Sequence, residues 1–176
     1  IVYTDSDCIP QPDWLEKMIK PFDDPEVMGA KGAYLTDQKE LIARFSQKEF
    51  EERYRVLAQH KYIDFVDSYS AAFRKKQFLD VGGFDTQFSV ANNEDVELSY
   101  KLAAKGYKMV FVPDALVTHT HSDSFFEYLR LKFSRAYWRM LVYKRFPNKV
   151  MRDTYTPVTL KIAFFLTLFM FISFLG

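Results

Sequence analysis

Cysteine is nearly absent: Cys8 is the single one in 176 residues. A disulfide framework within the chain is thereby excluded, and so is a cysteine-rich zinc site. No excess of either charge is present. Lys and Arg number 24 against 23 Asp and Glu, a formal net charge of +1, so no nucleic acid or other polyelectrolyte partner is implied. No internal repeat or low-complexity linker interrupts the chain, and its length is enough for one domain with a real hydrophobic core. An initiator Met is missing as well. The chain opens on the apolar β-type run Ile1-Val2-Tyr3-Thr4 and stops within another apolar run at Phe174-Leu175-Gly176. The expectation is an excerpt of a longer protein.

Aromatic side chains, by contrast, are abundant. They make up 18% of the chain, with 18 Phe, many of them near the C-terminal end. Ile162 to Leu175 reads IAFFLTLFMFISFL, uncharged and apolar on every side. That is shorter than the ~20 residues a bilayer span requires, and a buried core helix is the alternative. Aromatic richness and the preceding Lys144, Arg145, Lys149, Arg152 and Lys161 favour the start of a transmembrane helix. The same basic residues put the preceding domain on the cytoplasmic side of a membrane. From Ser124 a long amphipathic helix is predicted. Phe126, Leu129, Phe133, Ala136, Tyr137 and Met140 gather on one side of a 3.6-residue wheel, and Lys132, Arg135 and Arg139 on another. Such a helix either packs on the core with its basic face solvated or lies at a lipid interface.

Upstream, strands and helices alternate with short connections, which indicates an α/β domain. Strands are predicted at Ile1 to Thr4, Val27 to Leu35 (with Gly29 and Gly32 inside it), Phe65 to Phe73 and Met109 to Val112. Pro113-Asp114 breaks the last of these, and Ala115 to Thr120 resumes extended structure. Helices are predicted from Pro12 to Lys20, closed by Pro21, and from Gln38 to Lys61, with Leu41, Ile42, Phe45, Tyr54 and Leu57 inward. A short helix spans Lys75 to Asp80 before a Gly82-Gly83 turn. Another starts at Asn93 as N-cap, runs to Lys105 and ends at Gly106.

Asp5-Ser6-Asp7 sets two carboxylates just past a buried strand, at the sheet edge where open α/β folds bind ligands. Such a pair suits a hard divalent cation, which neutralises a diphosphate; the plainer reading is an Asx-turn or helix cap. Glu94, Asp95 and Glu97 stand in a first helical turn. There they complement the helix dipole, and an ionised base is well held. His119 and His121 follow the last strand, and period-2 alternation points both the same way if the strand continues that far. Gly82 and Gly83 permit positive φ, for a plain turn or for close approach to a ligand.

The string TDSDCIPQPDWLEKMI resembles the metal-binding segment of inverting family 2 glycosyltransferases of the GT-A fold. Ser70-Ala71-Ala72-Phe73-Arg74 and then Val81-Gly82-Gly83-Phe84-Asp85 resemble that family's strand and G-G-F-D turn. Asn93-Glu94-Asp95-Val96-Glu97-Leu98-Ser99 resembles its E-D motif, and Val112-Pro113-Asp114-Ala115 through His119-Thr120-His121 its closing strand with a histidine. Four motifs stand in the family's order. The resemblance implies that Asp7 binds Mn²⁺ or Mg²⁺ and that Asp5 contacts the nucleotide ribose or, through water, the metal. His119 or His121 completes the metal site, His119 being preferred. Asp95 is implied as general base, with Glu94 orienting it or the acceptor. Ser70, Gly82 and Gly83 are implied to lie near the nucleotide-sugar.

Two departures stand out. The family's first half, which binds the nucleotide base, has no counterpart here, so the fragment alone is expected to bind nucleotide poorly. The Q-x-x-R-W motif of processive synthases is replaced by Leu131 to Trp138 (LKFSRAYW), which points to single addition. The expected organisation is a partial GT-A α/β domain with a mixed sheet and a C-terminal transmembrane helix. Residues 1–123 form the acceptor and metal-binding half, 124–156 a basic juxtamembrane region and 157–176 the start of the membrane helix. The expected activity is inverting, metal-dependent transfer from a nucleotide-diphosphate sugar to a glycan or lipid-linked acceptor. The alternatives are a Mg²⁺-dependent phosphohydrolase with an aspartyl nucleophile and a non-catalytic membrane-tethered domain.

Overall fold

The computed structural model describes residues 1–88 and 92–156, together with 159, 161–163, 166, 167, 170 and 173. Five strands form one mixed sheet: β1 (Val2–Thr4), β2 (Cys8–Pro10), β3 (Val27–Leu35), β4 (Ser70–Phe73) and β5 (Lys108–His119), in the order β1-β4-β3-β5-β2. β3 and β5 pair in parallel, and every other pairing is antiparallel. β1, β3 and β5 therefore run in one direction and end on the same side. Asp5, Ser6 and Asp7 link the two edge strands, so the acidic turn crosses that carboxyl end.

Five helices accompany the sheet: α1 (Trp14–Ile19), α2 (Leu41–Leu57), α3 (Lys75–Asp80), α4 (Glu94–Ala104) and α5 (Phe125–Arg145). Alternation across β4 divides the core. Ala71 packs with Phe65, Val96, Leu98 and Met109 on one face, and Ala72 with Trp14, Met18 and Tyr34 on the other. Gly32 makes the tight crossing possible: a Cβ there would come within 2.1 Å of Ser70 Oγ and 2.3 Å of the Ala115 carbonyl. The helix start and stop signals are visible in the backbone. The Ser124 hydroxyl accepts the Glu127 amide and caps α5. Gly106, at φ +76°, ends α4 with Gly106 N–H donating to Ala103 O and Tyr107 N–H to Leu102 O, the paired bonds of a Schellman cap.

Several expectations are corrected. β2 was not foreseen, because its three residues become a strand only by pairing with Val117 to His119 far along the chain. Pro21 does not close a helix; it sits in a 3₁₀ turn, Lys20–Asp23, that prolongs α1. Met109 to Thr120 is not two strands but one, with a bulge. Between Lys31↔Phe111 and Ala33↔Leu116, β3 advances two residues while β5 advances five, and Pro113-Asp114 falls in the excess. Of Phe65 to Phe73 only Ser70–Phe73 is strand; the stretch before it is a buried loop.

The long helix α2 is shorter than expected; Tyr54 and Leu57 face the core as expected, but its first turns face differently. Its inward residues are Ala43, Gln47, Phe50 and Leu57, while Leu41 and Phe45 are 81% and 53% exposed. Gln47 explains the difference, because its amide donates to the Tyr34 carbonyl at 3.1 Å and so faces the sheet. Asn93 does stand before α4, but with φ +65° and without a side-chain cap. No described helix is long and apolar enough to cross a membrane. The apolar run 162–175, read as the start of a transmembrane helix, lies largely outside the described residues.

Candidate active site

A cleft of about 900 Å³ opens at the carboxyl end of the sheet. One wall is acidic: Asp5 and Asp7 from the β1–β2 turn, Asp67 from the loop before β4, and Glu94 and Asp95 from the start of α4. The other is basic, with Arg53 from α2 and Lys132, Arg135 and Arg139 from α5. Tyr34, Phe50, Phe65, Tyr69 and Tyr155 also line it.

On the acidic side, oxygen of Asp7, sulfur of Cys8 and Nδ1 of His119 lie within 4.8 Å of one another. Asp7 Oδ2 stands 3.6 Å from His119 Nδ1. The β2–β5 register produces this, because Cys8 pairs directly opposite His119. The His119 ring stacks on Tyr34, 4.6 Å between centroids, which fixes its plane. Burial, then the charges of Asp7 and Asp5, push the Cys8 thiol up to about 12, so the sulfur stays protonated. The carboxylate and the imidazole beside it are ligands that suit a divalent cation. Asp5 lines the same wall, its carboxyl raised by burial and by Asp7.

His121 does not join this group. β5 ends at His119, so the alternation that would align the two imidazoles stops there. His121 is buried under α2 instead. Its Nε2–H donates to Gln47 Oε1 at 2.9 Å and its backbone N–H to Gln38 Oε1 at 2.6 Å. Burial and the nearby His119 lower its pKa to about 4, which keeps the ring neutral.

Asp95 faces the cleft from the first turn of α4. Its carboxyl accepts the Val96 amide at 2.7 Å and the Ser68 amide at 3.4 Å. Burial pushes its pKa to about 7, helped by Asp67 and Glu94 and opposed by Arg139. A carboxyl ionising near neutrality is suited to accept a proton. Glu94 lines the cleft beside it, and its Oε2 is buried without a hydrogen bond among the described residues.

Three sequence-predicted residues lie elsewhere. Ser70 is fully buried under α1, where its hydroxyl accepts Trp14 Nε1–H at 2.8 Å. It faces that side because the strand's alternation turns it away from the cleft. Gly82 and Gly83 adopt φ +86° and +63° in the turn after α3 and are not part of the cleft lining. Their turn instead presents Asp85 to Arg145 at 2.6 Å, which anchors the end of α5.

Sequence reasoning missed the pair Lys31 and Asp67 and the inward direction of Arg135 and Arg139. Lys31 had a signal, a lone charge in the middle of an otherwise uncharged strand. The arginines had none, since a helical wheel separates two faces without saying which one is covered.

The description "Glycosyltransferase like family 2" belongs to the sequence family whose model matches residues 1–137. The pre-mycofactocin glycosyltransferases of two Mycobacterium tuberculosis strains are each 28% identical over 138 residues, covering 75% of this chain. The chain spans 29% of the length of these curated relatives. Among solved structures, the Pyrobaculum calidifontis mannosyltransferase PcManGT, in complex with GDP-Man and Mn²⁺, is 21% identical. It overlays with a TM-score of 0.48, covering 73% of this chain and 34% of its own.

Proposed function

The chain belongs to the glycosyltransferase-like family 2, and from that premise we propose that its cleft transfers a sugar from a nucleotide-diphosphate donor to an acceptor hydroxyl, with inversion. The observation that carries the reading is convergence. Asp7 and His119, 112 positions apart in sequence, meet at one end of the acidic wall, and Asp95 faces the same cleft. A carboxylate of the cation-binding pair and the proton acceptor thus line one cleft of about 900 Å³. The name of the curated relatives supports transfer, and family membership leaves the phosphohydrolase reading without support.

Asp7 and His119 would hold Mn²⁺ or Mg²⁺, with Asp5 beside them. Such an ion supplies, when bound, neutralisation of the charge on a departing diphosphate. Asp95 receives the proton of the acceptor hydroxyl as that oxygen bonds to the anomeric carbon and the bond to the diphosphate breaks on the opposite face. Glu94 stands next to Asp95 and, after burial and Asp67, adds to the rise of its pKa. No covalent sugar–enzyme bond is required.

The acceptor is a glycan or a lipid-linked glycan, and the catalytic unit works at the cytoplasmic face of a membrane. The bare apolar side of α5 supports the nearness of a membrane: Phe126 and Phe133 are 80% and 77% exposed, with Leu129 and Tyr137 also in the open.

The test is nucleoside-diphosphate release by the full-length membrane protein over a panel of nucleotide sugars, with Mn²⁺ and with EDTA. Release that requires the metal and falls at least 100-fold in Asp95→Asn is expected. Turnover unchanged in EDTA would remove the cation from the scheme.

A further inference from the structure

Beneath the cleft lies a charge pair that the transfer scheme leaves unused. Lys31, in the middle of β3, has no exposed surface. Its ammonium donates to Asp67 Oδ2 and to the Tyr69 hydroxyl, the latter at 3.0 Å, and stands 4.5 Å from the Tyr69 ring centre. Burial pulls the lysine toward its neutral form, and Asp67 opposes that pull. Replacing such a pair with well-packed apolar side chains is often neutral or stabilising. Packing alone therefore gives no reason for a lysine in this strand.

What the pair delivers is a carboxylate fixed on the cleft wall. Asp67 lines the cleft, the lysine occupies only Oδ2, and Oδ1 has no hydrogen bond among the described residues. Its two followers place it within the site. The Ser68 amide reaches Asp95. The Tyr69 ring stacks at 3.5 Å on Tyr34, which in turn stacks on His119. Asp67 thus belongs to a segment that touches the proton acceptor at one end and leads to the cation side at the other. The transferred sugar must occupy the space between.

We propose that Asp67, oriented by Lys31 and Tyr69, accepts hydrogen bonds from the hydroxyls of the transferred sugar and makes the site selective for their arrangement. A carboxylate held in place can accept two such bonds, and charged acceptors make the stronger ones. A donor lacking the contacted hydroxyl leaves that buried carboxylate without its partner, which is how polar sites discriminate.

The proposal rests on the glycosyltransferase reading, so the two are measured separately. Loss of turnover in Asp95→Asn reports on transfer. Selectivity is read by comparing the preferred donor of the full-length protein with its single-deoxy and epimeric analogues, in wild type, Asp67→Asn and the double variant Lys31→Met/Asp67→Asn. The double variant leaves no unpaired buried charge and guards against a mere folding defect. Both variants are expected to lose roughly 10- to 100-fold in kcat/KM for the preferred donor while changing little for one deoxy analogue. Inhibition by free nucleoside diphosphate stays at the wild-type level. An equal loss on every donor, with discrimination intact, overturns the proposal and reduces the pair to a structural one.

Discussion

Asp95 owes its ionisation to the groups around it. Asp67 and Glu94 raise it from the loop and from its own helix, and the buried position raises it most. Arg139 on α5 and the Val96 amide lower it. In the proposed role as base, Asp95 must be unprotonated to accept a proton. The acidic limb of kcat/KM is therefore expected to show an apparent pKa of about 7, with rate rising as pH increases through it. Arg139→Gln removes a lowering charge and should move that limb to higher pH, which a pH–rate profile of the variant checks. The same shift has a consequence for stability. A carboxyl whose pKa is raised on folding contributes stability below its unfolded pKa and loses it as pH rises through the folded value. Asp95→Asn should accordingly melt no lower than wild type at pH 8 while losing turnover, a combination that thermal unfolding and activity assays distinguish from a folding defect.

Elements held by local chemistry were legible; those held by distant partners were not. The limits of α3 and the Gly106 end of α4 follow from short-range signals, and the structure reproduces them. β2 depends on a partner strand more than 100 residues away. The meeting of Asp7 with His119 was open to the resemblance alone, because spacing along the chain does not encode pairing across a sheet. Lys31 and Asp67 were beyond reach for the same reason. The α5 wheel set Ala136 and Met140 with the apolar residues, yet both line the cleft beside the basic ones, and it left the direction of each face open. Lys132, paired with Glu49 of α2 at 2.6 Å, lines the cleft with Arg135 and Arg139, while Phe126 and Phe133 stay bare. α5 also holds the start of α4: Asn93 Nδ2 donates to the Arg135 carbonyl at 3.0 Å, and Asn92 Nδ2 to Ser134 Oγ at 2.8 Å. Asn93→Ala loses this tether and keeps a left-handed backbone, whereas Asn93→Gly loses only the tether. The alanine variant should be less stable than the glycine variant by about 1 kcal/mol in chemical denaturation. Both should turn over more slowly than wild type.

At the scale of the whole molecule, polarity is arranged against the usual rule. Charges of both signs converge inside, on the cleft, while one long helix turns its phenylalanines outward. Fully covering a side chain of that size is worth roughly 1.5–3 kcal/mol. A face that exposes Phe126, Leu129, Phe133 and Tyr137 together therefore favours a cover strongly. Phe45 on α2 reaches Tyr128 at 5.8 Å between ring centres and extends the patch toward Leu41. A lipid surface suits this face, because Arg130 and Lys144 lie exposed on the same helix and match anionic headgroups. The buried Cys8 leaves an introduced surface cysteine free for labelling. A nitroxide on Phe133→Cys of the full-length protein in anionic vesicles should meet dissolved oxygen more readily than a water-soluble nickel chelate. A label on Lys76→Cys, exposed on α3, should show the reverse order. If both labels favour the chelate equally, α5 stands in water and the membrane does not cover it. If only the first favours oxygen, the helix lies along the bilayer with its basic residues still lining the cleft.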